Sequence, residues 1–191
     1  MRKSMVIASV LAGLTGVAIC DRPSLGGQND TRNVARNYDN STLNSEDRDF
    51  MNNAALGGMF EIQESRVAVE KTATDAIKKF ANQMIDDHTS INEKLAKVAG
   101  DKMVTIPTVL DSDQQKQVDD LGQLSGADFD KQYVKDQVDA HKDAVKLFQK
   151  EIDDGQDVDV KALATRTLPT LQHHLEMAET LNDTMTASSG N

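Results

Sequence analysis

Four blocks of apolar residues recur at helical spacing, separated by two short connections and one long one. The blocks cover about 45–71, 75–99, 127–152 and 158–186. A 3.6-residue period sustained for about 25 residues builds an amphipathic helix and no strand. The stretches "TATD" and "DDGQD" allow only tight reversals, so they join antiparallel neighbours. Residues 101–126 form a long connection, which contains Pro107 and a short amphipathic stretch over about 111–124.

This pattern predicts an all-α fold: a ferritin-like four-helix bundle whose long crossover carries a short extra helix. Composition agrees, with 4% aromatic residues and three prolines. Ser45 is the expected N-cap of the first helix and Thr74 that of the second. Gly126 is expected to end the crossover stretch, and Gly155 to supply a flexible turn position. Pro169 should kink the fourth helix or mark a new first turn.

The N-terminus reads as an export signal. Arg2 and Lys3 precede the uncharged run "MVIASVLAGLTGVAI", which is short for a membrane span. A cut after Ala18 competes with a lipobox-like "VAIC", in which Cys20 would be lipidated. Cys20 is the only cysteine, so an intrachain disulfide and a thiolate metal cluster are both excluded. The expected organisation is a signal at 1–20, a polar tether at 21–44, a bundle domain at 45–187 and a tail at 188–191. Membrane contact is expected only through the signal or a lipid anchor, which places the chain in the periplasm or anchored in the envelope. The net charge of −10 argues against nucleic-acid binding. Protein partners and oligomeric state are not legible.

Helical wheels turn four ionisable side chains inward. His88 lies in line with Met84 and Ile91. His141 falls among Val134, Val138 and Val145, and His174 among Leu171, Ala178 and Leu181. Glu61 sits beside Ala54, Gly58 and Ala68. His173 and Glu64 point off these faces. Each of the four inward residues lies within about three residues of its helix midpoint, roughly 5 Å along the axis.

A lone inward histidine is ordinarily a hydrogen-bonded core residue. Three at one height, with a carboxylate, admit two solutions. One is a metal-free hydrogen-bond network. The other is a divalent transition metal (Zn, Fe, Cu, Mn or Ni) held by Glu61, His88, His141 and His174. No Glu-x-x-His pair occurs, so the ligand supply suits one metal and not a di-iron centre. Asp87, Gln137 and Tyr133 are candidates to hydrogen-bond and orient the ligands.

The stretches "DRDFMNNAALGGMFEIQESRVAVEKT", "IKKFANQMIDDHTSINEKLAKVA", "LSGADFDKQYVKDQVDAHKDAVKLFQKE" and "LPTLQHHLEMAETL" resemble the DUF4142 family over about 45–184. The resemblance implies an exported bacterial protein of ferritin-like fold. It matches Glu61, His88, His141 and His174 to the family's Glu and His positions, and Phe129, Asp130 and Tyr133 to its Phe-Asp and Tyr. Gln63, Glu64 and Ser65 stand where the family commonly has an apolar-Gly pair. The resemblance supplies no activity.

Two functions remain open: a metal-binding envelope protein for sequestration, buffering or stress defence, and a structural or interaction module with a metal-free core. The chain has no His-Glu-x-x-His, Gly-x-Ser-x-Gly, P-loop or dinucleotide fingerprint, so nothing positive points to an enzyme.

Overall fold

The computed structural model describes residues 42–189. The expected signal, Cys20 and nearly all of the expected tether lie outside the described residues. Five helices follow in order: α1 Ser45–Lys71, α2 Asp75–Asp101, α3 Ser112–Gln123, α4 Gly126–Asp154 and α5 Val158–Ser189. No strand occurs among the described residues. The four long helices surround one core. α1 packs on α2 and α4, and α5 packs on the same two, so α1 and α5 are diagonal.

Contacts at the ends set the directions. Lys150, near the end of α4, pairs with Glu46 at the start of α1 at 2.6 Å. Thr74, between α1 and α2, donates to Asp130 at the start of α4 at 2.6 Å. Lys102, just past α2, meets Asp157 before α5 at 2.7 Å. Helices α1 and α5 therefore run one way, α2 and α4 the other. Residues 102–125 cross the length of the bundle, and α3 lies over α1 and α4.

Local chemistry departs from expectation at several points. Asn44, not Ser45, caps α1, its Oδ1 accepting from Asp47 N at 2.9 Å. Both residue types cap well, so the boundary shifts by one residue. Thr74 does precede α2, but its hydroxyl goes to Asp130 and not to the helix. Gly126 opens α4 at φ 59°, a left-handed conformation that favours glycine. Gly155 sits at φ −55°, accessible to any residue. Glycine is needed there for space: a Cβ would run into the Glu151 carboxyl and stand 2.6 Å from the Glu151 carbonyl oxygen. Helix α5 continues through Pro169, which lacks the N–H that would bond the Thr165 carbonyl.

Glu64, expected off the inner face, is fully buried. The wheel assumed one packed face on α1. In fact α2, α4 and α3 all cover that helix, so its buried arc also takes in Met51, Ala55, Phe60 and Ile62.

The apolar core comes in two halves. One joins Phe50, Met51, Leu95, Phe148, Leu163 and Leu171. The other joins Ile77, Phe80, Met84, Phe129, Val134 and Ala178. Each fully buried side chain of this size contributes about 1.5–3 kcal/mol. The polar layer lies between them, since Met84 and Ile91 flank His88 on α2 while belonging to opposite halves.

Candidate metal centre

His88 occupies the middle of α2, and His141 and His174 lie at the middles of α4 and α5. All three are at most 2% exposed. Their ring centroids form a nearly equilateral triangle, with sides of 5.4, 5.3 and 5.3 Å. One ring nitrogen from each lies within 4.8 Å of the others. His173, next to His174, is exposed and stands 3.9 Å from Glu176.

The outer nitrogens are occupied by oxygen acceptors. His88 Nδ1–H donates to Glu61 Oε2 at 2.9 Å. His141 Nδ1–H donates to the Gln137 carbonyl, one turn back on its own helix, at 2.8 Å. His174 Nε2–H donates to Asp87 Oδ2 at 2.9 Å. These bonds place the proton of each neutral imidazole on the outside. What remains is His88 Nε2, His141 Nε2 and His174 Nδ1, each with a lone pair. His88 Nε2 and His141 Nε2 are 3.3 Å apart. His174 Nδ1 is buried and has no hydrogen-bond partner.

This donor set can hold a metal ion. Two nitrogens at 2.0–2.1 Å from a tetrahedral Zn²⁺ are themselves about 3.3–3.4 Å apart, which matches the separation of His88 and His141. An imidazole whose far N–H is held by a carboxylate or carbonyl is the usual orientation of a ligating histidine. An unpartnered buried nitrogen such as His174 Nδ1 is costly unless something binds it.

The protonation states agree. Burial holds the His141 imidazolium below its ordinary range, against the pull of Glu61. Burial likewise lowers His174 to about 4, despite its bond to Asp87. Both are neutral at neutral pH, as a metal requires. Burial alone would raise the Glu61 carboxyl, but the imidazoles of His88 and His141 outweigh it and lower it to about 2.

The residues selected from sequence divide into distinct places. Glu61 does not join the group of three nitrogens. It receives the outer N–H of His88, and its Oε1 stands 3.4 Å from His141 Nδ1 without a hydrogen bond. Asp87, adjacent to His88 in sequence, serves His174. Gln137 serves His141 through its backbone carbonyl. Its side chain instead donates to Glu64 Oε2 at 3.1 Å. Tyr133 hydrogen-bonds Ser65 at 2.9 Å and no imidazole.

Glu64 is the polar residue that sequence reasoning missed. Burial, reinforced by Asp136, raises its carboxyl to about 9, against the Gln137 hydrogen bond. It is therefore protonated at neutral pH. Its spacing of three from Glu61 put it on the same flank and was the available signal.

No curated protein matches this chain. In fold it is similar to the crystal structure of a DUF305 fragment from Deinococcus radiodurans, with a TM-score of 0.66 at 11% identity over 74% of this chain and 97% of that one. The family described as Domain of unknown function (DUF4142) matches residues 33–181, which include all four inward residues. The chain belongs to the DUF4142 family.

Proposed function

We propose that this protein binds one divalent transition metal between His88, His141 and His174, in a ferritin-like bundle exported to the cell envelope. The observation that carries the reading is the orientation of the imidazoles. Each outer nitrogen is committed to an oxygen, and the inner three face one another with lone pairs. Glu61 and Asp87 orient the rings; Glu61 can also turn its free Oε1 toward an ion. Three imidazoles suit Zn, Fe, Cu, Mn or Ni. The role we assign is sequestration, buffering or stress defence.

The ferritin-like assignment draws on the long crossover between two helix hairpins. Export draws on the signal-like N-terminus. No helix among the described residues is long and apolar enough to cross a membrane.

One observation favours the second reading, a metal-free network. The 3.3 Å separation of His88 and His141 also fits an N–H···N hydrogen bond, with one extra proton balanced by Glu61. Elemental analysis of untagged protein decides between the two. The metal reading expects about one equivalent in the wild type and loss in His141→Ala. Well under one equivalent in both, after incubation with each candidate ion, overturns it.

A further inference from the structure

A cleft of about 410 Å³ runs between α1 and α4, beside α3. Its inner end is lined by Glu61 and His88, which are buried, and its rim by the exposed Asp139 and Asp143 and the half-buried Asp136. Small residues open it: Ala54 and Gly57 on α1, Ala140 and Ala144 on α4. The α2/α5 groove, of about 460 Å³, differs in both respects. It is lined by Lys94, Lys97, Lys102 and Arg166 against Asp101 and Asp159, a net positive set, and it reaches no imidazole.

We propose that the α1/α4 cleft is the port by which a divalent cation reaches the three histidines, with Glu61 Oε1 as its relay. The proposal rests on the metal reading above and adds the route. Two independent observations support it. Glu61 is 2% exposed, lines the cleft, and keeps Oε1 without a hydrogen bond. A buried carboxylate oxygen of this kind is a ready stopping point for a cation. Beyond it, three aspartates on one side of α4 favour cations at the mouth. Lys135 and Lys146 offset part of that charge, pairing with Asp139 at 2.8 Å and with Asp143 at 3.0 Å; Asp136 has no lysine partner among these pairs. The cation meets negative charge at the mouth, then at Glu61, and finally the three inward nitrogens. No covalent step is involved; bound water leaves as ligands replace it.

Gly57 offers the test. A Cβ built there meets nothing within 4 Å, so a larger side chain enters the open cleft without striking the backbone. Gly100, which also has open space around it and lies outside the cleft, is the control. Metal-free full-length protein is mixed with Co²⁺, and uptake is followed by its visible absorption. Gly57→Leu is expected to slow uptake at least about ten-fold while the final stoichiometry stays unchanged. Gly100→Leu should load at the wild-type rate. A combined Asp136→Asn, Asp139→Asn, Asp143→Asn variant should load several-fold more slowly, with a weaker dependence on salt.

Wild-type rates in Gly57→Leu with full loading overturn the port. Should Gly57→Leu fail to fold, the aspartate variant decides alone, and an unchanged rate and salt dependence overturn the port. No Co²⁺ uptake by the wild type is a separate outcome: it removes the metal reading and the port with it.

Discussion

Two buried polar clusters sit within a few turns of each other, and they balance their charge in opposite ways. At the histidine centre the periphery is complete and the middle is not: every outer N–H has an oxygen, while lone pairs face inward. At the Glu64 cluster the side chains bond one another across α1 and α4, with Glu64 Oε1 and Gln137 Oε1 left over. Gln137 donates to Glu64, and Ser65 meets Tyr133. Glu64 also keeps a proton, which removes the need for a counter-charge. A cluster that leaves convergent lone pairs asks for a cation. A cluster that retains its own proton has already been neutralised.

The largest expected effect breaks the two apart. Metal at about a thousand times its Kd stabilises a folded protein by about 4 kcal/mol. Wild type and Glu64→Gln should both gain this on thermal unfolding with and without Zn²⁺, and His141→Ala should gain none. A metal-dependent shift in His141→Ala would dissolve the contrast.

The next effect belongs to the second cluster alone. The Glu64 carboxyl, at about 9, lies above its ordinary 4.5. Between those values the folded chain holds a proton that the unfolded chain has released, so stability falls as pH rises. Glu64→Gln keeps an acceptor for Gln137 and has nothing to titrate. It should exceed wild type by on the order of 3 kcal/mol at pH 7 in urea unfolding. The gap should widen toward pH 9 and close toward pH 4.5.

Glu61→Gln separates orienting from ligating. Removing the charge while keeping an acceptor for His88 Nδ1–H should weaken metal binding about 10–100-fold, the usual cost of losing an orienting carboxylate. A loss as complete as that of His141→Ala, by competition with a chromophoric chelator, would make Glu61 a ligand. Asp87→Asn should cost less. The Asp87 side chain is 39% exposed, so water can replace its bond to His174.

The difference between the clusters also explains what sequence could and could not reveal. Helical period and connection length implied four long helices and a crossover, because burial on each helix has one dominant direction. Depth along the helix singled out His88, His141 and His174, because a residue count converts directly to height. Wheels say nothing about which ring nitrogen faces in, so Glu61 could not be separated from the ligands. Nor could they show that α3 lies over α1 beside α4, which widens the buried arc of that helix beyond one face. Asp87 looked like a neighbour of His88, but consecutive helical residues point about 100° apart, so it serves a different helix.

The smallest prediction concerns the bond farther along α1 and α4. Tyr133 and Ser65 are both fully buried and meet at 2.9 Å, so each satisfies the other. Tyr133→Phe leaves the Ser65 hydroxyl alone, and Ser65→Ala leaves the phenol alone. Each should cost about 1 kcal/mol, since a buried hydroxyl loses its partner without regaining water. The double variant strands neither group, so it should cost less than the sum of the two, and the shortfall measures the bond. None of the three should alter metal affinity, because this pair bonds no imidazole. A matched fall in affinity would mean that the two clusters act as one network, and that the inward lone pairs are held in place partly from the protonated side.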